Sequence, residues 1–400
     1  MLESVNPFNP APGALPAAIV GREPELIAIR EALRRIKGGS PPVPVLFTGQ
    51  RGMGKTALLQ ELRRLAGSST LAVPLEALRS QSLAASLREK FDTLLDGVGN
   101  LPAKTGRALE RVLKDLPKIS YELPHGAGSI ALQGSGEEES HDRSLATMLQ
   151  ALRVAAGGAK RFMTITVDEI QDADLRSLEI LVRFVHESAQ GDEPVLLASA
   201  GLNDSHVVLE QLRTYVQRWA SFELRLLTQA ETIEALLAPI LEADATIEEE
   251  ALQRLAAESA GYPVFIQTYG SAAWERHRGR AITLGDVEAS LPEARARCEL
   301  AFYVRPLARM SPRETLFALA LAELGPGAHP IGAVARSLGT DAPSISSIRT
   351  TLVRKSIIAV PMSGKVEFRI PFTDRYLRAH REEYESEDVS SYRRRLAADG

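Results

Sequence analysis

Eight consecutive residues, Gly49-Gln50-Arg51-Gly52-Met53-Gly54-Lys55-Thr56, fit the pattern G-x-x-x-x-G-K-[ST]. Each residue type has a task there. Glycines let the backbone curl so that successive N–H groups point inward at phosphate oxygens. A helix beginning near Lys55 adds the positive end of its dipole. Lys55 is placed to reach the β- and γ-phosphates, and the Thr56 hydroxyl to ligate Mg²⁺. The second requirement of phosphoryl chemistry is acid, and "MTITVDEIQD" supplies two at the end of an apolar, β-branched run. Asp168 is suited to hold Mg²⁺ through water, and Glu169 to polarise the attacking water. Sites that only bind nucleotide often lack the second acid, so the pair favours hydrolysis.

Those residues need elements to hold them. "PVPVLFTG" reads as a short buried strand and "KTALLQELRRLA" as a helix of apolar period, which is the context the phosphate loop requires. "STLAVPLEA", "RFMTITVD", "PVLLASAGLND" and "FELRLL" are further strands, and "LRSLEILVRFVHES" is helical. Strands alternate with helices to about Leu227, the pattern of an α/β parallel sheet with helices on both faces. Ahead of it, Asn6 to Pro16 is a Pro-rich extended arm, and "VGREPELIAIREALRRI" is a loop followed by an amphipathic helix. Residues 78–160 form an insertion with helical patches, a piece compatible with a β-hairpin ("KISYELPHGAGSIALQG") and an acidic loop ("GSGEEESHD"). From "TQAETIEALLAPIL", which opens on a Thr/Glu capping signal, the pattern is helical to about Arg309.

The set "VGREPEL", "GQRGMGKT", "TVDEIQD" and "GYP" resembles the origin-recognition-like branch of the AAA+ ATPases and the neighbouring signal-transduction (STAND) P-loop ATPases, over residues 17–275. The resemblance implies a P-loop NTPase fold with a helical lid, and ATP with Mg²⁺ as ligands. It puts Val20 and Gly21 beside the base, where the residues alone show only a turn leading into a helix. It places ATP on Gly49, Gln50, Arg51, Gly52, Met53, Gly54, Lys55, Thr56, Ala57 and Pro263. Beyond the strand "PVLLASAG" it implies a polar contact to the γ-phosphate or the water, Ser199 or Asn203, with Asn203 preferred. It also implies an arginine offered to a neighbouring copy's nucleotide, Arg218 with Arg213 second, and hence a homo-oligomer on ATP binding. One departure stands out. After Gly261 and Pro263, where the family's lid often carries an arginine, this chain has Val264. Control by the lid within one chain is thereby weakened, and the weight moves towards the STAND branch.

The C-terminal module differs in kind. "SPRETLFALALAEL" is a capped helix, "IGAVARSLG" a short one and "DAPSISSIRTTLVRKSIIAV" a third, followed by β-branched runs around Ser363-Gly364, a hairpin signal. This order resembles a winged helix-turn-helix, in which the last helix enters the DNA major groove. Residues 305–381 hold 12 Lys/Arg and 5 Asp/Glu, a balance of +7 in a chain of net charge −4. Ser344, Ser346, Ser347, Arg349, Thr350 and Lys365 are the expected DNA-facing set, serines being suited to phosphate oxygens. From Glu382 onward the sign reverses, with 6 acids and 3 arginines.

The remaining composition excludes other classes. A net charge of −4 gives no global attraction to nucleic acid or membrane. No apolar run approaches the roughly 20 residues of a bilayer span, and the N-terminus lacks the pattern of a secretory signal. The single cysteine, Cys298, has no disulfide or metal-ligand companion and reads as an ordinary helix residue. A cytoplasmic protein is expected, and 38 arginines against 9 lysines point to a GC-rich, bacterial genome. The expected organisation is an arm (1–16), an ATPase core (17–228), a helical lid (229–304), a winged helix (305–381) and an acidic tail (382–400). The expected function is an ATP-hydrolysing switch that couples nucleotide state to double-stranded DNA through the winged helix. Its rival is a signalling switch whose winged helix binds protein.

Overall fold

Five short runs rich in apolar and β-branched residues become one parallel sheet, in the order Thr70–Glu76, Phe162–Asp168, Val195–Gly201, Val45–Thr48, Ala220–Glu223. The computed structural model describes residues 5–391, apart from 100, 114–120, 123–128, 131–136, 192–193, 204, 206–208, 210–211 and 213–215. The chain divides into two units, Ala11–Arg225 and Met1–Pro10 with Leu226–Gly400.

The first unit carries the sheet. Its strands are β1 (Val45–Thr48), β2 (Thr70–Glu76), β5 (Phe162–Asp168), β6 (Val195–Gly201) and β7 (Ala220–Glu223). β1 runs parallel to both neighbours, with Val45 opposite Ala198 on β6 and Ala220 on β7. Every strand is connected by a crossover, so helices cover both faces. On one side α1 (Glu23–Lys37) and α2 (Lys55–Ala66) pack together against β6. On the other, α3 (Leu83–Asp96), α5 (Glu137–Gly158) and α6 (Leu175–Ser188) pack on β2, β5 and β6, with α4 (Ala103–Leu113) outside them on α5. Strand alternation divides the core accordingly: Leu46, Val73, Ile165, Val167 and Leu197 join Phe91, Leu149, Leu152 and Leu181 in one cluster.

The insertion is therefore mostly helical. The described parts of the hairpin stretch, β3 (Tyr121–Glu122) and β4 (Ser129–Ile130), pair antiparallel, and the rest of it lies outside the described residues. The acidic "loop" is corrected in part, because α5 already begins at Glu137.

In the second unit, α7 (Gln229–Glu242) opens on the expected capping box, Thr228 with Glu231. α8 (Glu249–Ser259), α9 (Pro263–Arg276) and α10 (Leu284–Glu299) follow. The stretch is not helical throughout: β8 (Thr246–Ile247) and β9 (Ala281–Ile282) form a two-stranded parallel pair. α10 continues through a π-helical turn, Leu300–Val304, into α11 (Arg305–Leu307). Then come α12 (Pro312–Glu323), β10 (His329–Pro330), α13 (Ile331–Ser337), α14 (Ser346–Arg354), β11 (Ile358–Ala359) and β12 (Lys365–Phe368). The three strands make an antiparallel sheet ordered β10-β12-β11, with its turn at the positive-φ Gly364. α15 (Thr373–Ala379) and α16 (Arg381–Tyr384) close the module. The acidic tail is helical over residues 387–391, and 392–400 lie outside the described residues.

The arm is held by its side chains. Phe8 is buried at 3% exposure and fills the space left by the missing side chain of Gly270 on α9, where a Cβ would lie 2.6 Å from its ring. Asn6 donates to the Ser271 hydroxyl at 2.9 Å, and the Asn9 N–H donates to Gln267. Residues 1–4 lie outside the described residues.

Candidate functional site

β1 is an interior strand only four residues long, between β6 and β7, and the chain leaving Thr48 turns at the C-terminal edge of the sheet. That turn is the phosphate loop. Gly52 and Gly54 sit at φ +83° and +89°, in the left-handed region where a side chain is strained. Gly54 is the N-cap of α2, so the helix points its free N–H groups into the loop. Lys55 is buried at 6% exposure, and its ammonium donates to the carbonyls of Gly49 (3.0 Å) and Gln50 (2.8 Å). A buried cation bridging loop carbonyls is a donor set that phosphate oxygens can take over.

β6 lies between β1 and β5, and it sets the distance between the loop and the acids. Across it, the Thr56 hydroxyl donates to Asp168 Oδ2 at 2.6 Å. Asp168 Oδ1 accepts the Glu169 N–H at 2.9 Å. A hydroxyl and a carboxylate in contact, both hard oxygen donors, fit a small divalent cation such as Mg²⁺. Glu169 itself has φ +51°, a left-handed conformation that costs a non-glycine residue roughly 1–2 kcal/mol and is concentrated at functional sites. Its Oε2 accepts from the Gln171 amide at 2.7 Å, while Gln171 Oε1 accepts the Leu202 N–H at 3.0 Å.

The expected residues distribute as follows. Gly49 to Thr56, Ala57 at the first turn of α2, Asp168 and Glu169 converge at one edge of the sheet. Gly21 joins them, because the Arg22 guanidinium donates to the carbonyls of Gly21 (2.9 Å) and Met53 (3.2 Å), with Val20 preceding it in the loop. Asn203 follows β6 at the same edge, and its amide donates to Glu223 at 2.7 Å, at the end of β7. Ser199 is instead fully buried within β6. Arg218 precedes the start of β7, on an exposed turn at the opposite edge, so it is not brought to this chain's own loop. Arg213 lies outside the described residues. Pro263 is the first residue of α9, in the other unit.

Three residues were not singled out by motif. Arg22 is buried at 3% exposure and also donates to the Arg225 carbonyl at 2.9 Å, joining the phosphate loop to the chain leaving β7. Arg63, two turns along α2 from Lys55, donates to Thr166 at 2.8 Å. Burial pulls its guanidinium below the ordinary arginine range, against the attraction of Asp168. Gln171 is the third. Arg22 and Gln171 sit inside the quoted "GRE" and "DEIQD", but nothing in spacing alone says where their side chains end.

In the C-terminal module α14 exposes Ser346, Ser347, Thr350 and Arg354, with Arg349 half-buried and Ile348 and Leu352 facing inward. Ser344 precedes the helix, its hydroxyl donating to Asp341 at 2.5 Å, and Lys365 begins β12. Part of the basic excess is spent internally: Lys355 pairs with Glu314, Arg378 with Asp374 and Arg381 with Glu323, and Arg369 is buried. Cys298 is buried in α10, and burial pushes its thiol up to about 12, as befits an inert side chain. No helix among the described residues is long and apolar enough to cross a membrane.

Comparison with known proteins agrees with this geometry. Residues 18–198 match the AAA ATPase domain, and residues 301–377 match a domain of unknown function. No curated protein matches the chain. Among solved structures, a Walker-type ATPase of Pyrococcus abyssi is 16% identical, with a TM-score of 0.58 over 94% of this chain and 100% of that one. The Aeropyrum pernix Orc1 protein, solved in complex with DNA, is 17% identical, with a TM-score of 0.47 over 94% and 96%. The Thermotoga maritima RuvB Holliday junction branch migration motor is 15% identical, with a TM-score of 0.43 over 90% and 95%. The likeness to the Pyrococcus abyssi ATPase is one of fold. The sheet has the P-loop NTPase fold.

Proposed function

We propose that this chain is a Mg²⁺-dependent ATPase switch of the AAA+/STAND type, which couples its nucleotide state to double-stranded DNA through a C-terminal winged helix. The observation that carries the hydrolytic part is the contact of Thr56 with Asp168, with Glu169 next in the chain. Lys55 exchanges loop carbonyls for the β- and γ-phosphate oxygens of ATP, and the loop N–H groups take the remaining oxygens. Thr56 and Asp168 hold Mg²⁺, which when bound neutralises charge on the phosphates. Glu169 accepts a proton from water as the water oxygen bonds to the γ-phosphorus and the bond to ADP breaks. Arg218, exposed at the far edge of the sheet, is offered to a second copy, so that turnover rises with assembly.

Support for DNA as partner comes from the C-terminal module. Helix, strand, two helices and a two-stranded hairpin is the order of a winged helix, and α14 presents hydroxyls and arginine on one exposed face. A second reading, in which this module binds protein, is favoured by the hairpin tip, where Val360 and Met362 are 44% and 57% exposed. The test is an ATPase assay with and without duplex DNA across protein concentration, beside duplex binding at several salt concentrations. DNA binding that weakens steeply with salt and turnover that rises with concentration support the first reading. Absence of duplex binding at low salt with ATP present sinks it in favour of the second.

A further inference from the structure

We propose that Gln171 is the positioning residue for Glu169, its side-chain amide fixing the carboxylate of the base against the end of β6. The proposal rests on the hydrolytic reading above and adds a residue to it. Glu169 is the first residue past β5, and no strand pairing restrains its long side chain. The Gln171 amide supplies the restraint at 2.7 Å. The other end of that amide is anchored: Gln171 Oε1 accepts from the Leu202 N–H (3.0 Å) and from the Ser205 hydroxyl (3.3 Å). These partners also fix which way the amide faces. Two donors demand the oxygen on the β6 side, which leaves the NH₂ for the carboxylate.

The chain makes room for this bridge. Gly201, the last residue of β6, has no side chain, and a Cβ there would lie 2.7 Å from Gln171 Oε1 and 2.2 Å from the Ser205 hydroxyl. Leu202, the anchor, is followed directly by Asn203, so the base and the polar residue beyond β6 hang from one short segment. Asn203 is turned elsewhere, to Glu223. The arrangement thus ties Glu169 to the strand that separates the phosphate loop from the acids, and a rigid second layer of this kind is what holds a reacting group in its productive pose.

The decisive variant is Gln171→Glu, which keeps the shape and the acceptor for Leu202 and Ser205 but replaces the donor to Glu169 by a carboxylate oxygen that repels it. The expected result is a kcat lowered about tenfold or more, with KM and ATP affinity within about twofold of wild type. A kcat within twofold of wild type, a raised kcat, or a kcat loss matched by lost ATP affinity overturns the proposal. A second route avoids changing Gln171. Gly201→Ala combined with Ser205→Ala removes the hydroxyl clash and leaves the new methyl against the Gln171 oxygen (2.7 Å) and Ile170 Cγ2 (2.8 Å), so that the Gln171 side chain is displaced. It is expected to lower kcat similarly, and adding Gln171→Glu to it should cost little more. Fully additive losses overturn the proposal. Glu169→Gln, run alongside, separates the two failures. Undiminished turnover there removes the base, and the tether with it. Turnover lost there but kept in Gln171→Glu removes the tether alone.

Discussion

The Thr56 hydroxyl donates to the Asp168 carboxylate at 2.6 Å, although the two residues are 112 positions apart in the chain. One begins α2 and the other ends β5, and β6 lies between the strands that feed them. A bound cation would find its hydroxyl and carboxylate already assembled, so little ordering is needed on binding.

Lys55→Ala should lower ATP affinity at least tenfold, because no other side chain of the loop carries an ammonium to the phosphates. Thr56→Val should leave nucleotide binding in chelator largely intact while raising the Mg²⁺ concentration needed for turnover. Titration with a fluorescent nucleotide checks both, and unchanged affinity in Lys55→Ala would assign the nucleotide to another place.

Glu169→Gln should retain ATP and lose turnover by about 10²- to 10⁴-fold, the usual contribution of a general base. Single-turnover measurement of phosphate release reads it directly. Undiminished release rules out Glu169 as the proton acceptor.

The parts of this site that were legible are those with a local cause. The phosphate loop and the acid pair are runs of adjacent residues whose types the chemistry dictates, and the capping boxes at Thr228 and Ser311 announce helices by residues three apart. In the sequence Arg22 shows only a turn, because its partners, Met53 and Arg225, are 31 and 203 positions away. Gln171 was hidden for the same reason, as its anchor on Leu202 depends on strand order. The β8–β9 pair escaped because two-residue strands carry no periodicity.

Arg22→Met should destabilise the unit Ala11–Arg225 by about 2–4 kcal/mol, since it keeps the volume but leaves buried carbonyls without a donor. Arg22→Lys should recover only part of this, because an ammonium cannot span Met53 and Arg225 as a guanidinium does. Urea denaturation followed beside nucleotide affinity tests it. Equal stability of Met and wild-type forms would remove Arg22 as a clamp.

Glu258, on α8, predicts an acid limb of stability. Burial alone would raise its carboxyl, but hydrogen bonds from Arg295 (2.6 and 2.8 Å) and Arg254 (2.8 Å) hold it down at about 2. The folded value lies below the unfolded one, so its contribution is complete above about pH 5 and is lost as pH falls towards 2. Glu258→Gln should cost about 2–3 kcal/mol at neutral pH, with the gap to wild type narrowing as pH falls below about 4.5 and closing only below about pH 2. A gap that stays constant across thermal melts in that range would assign the loss to packing.

On α14, Arg349→Ala and Arg354→Ala should each reduce the slope of log affinity against log salt for duplex DNA by about 1. A slope unchanged in both moves the interface off this helix.

The docking of Phe8 against Gly270 orders events in time. On a ribosome making about 5–20 residues per second, some 260 residues separate the two, so Phe8 waits roughly 13–50 s for its socket. Throughout that interval an aromatic side chain near the start of the chain has no native place to go. The sheet of Ala11–Arg225 is synthesised in full before α9 exists. Seating Phe8 is thus a late step of maturation, and lengthening or shortening the wait by slowing or speeding translation changes how long the nascent chain offers an unplaced aromatic side chain to chaperones.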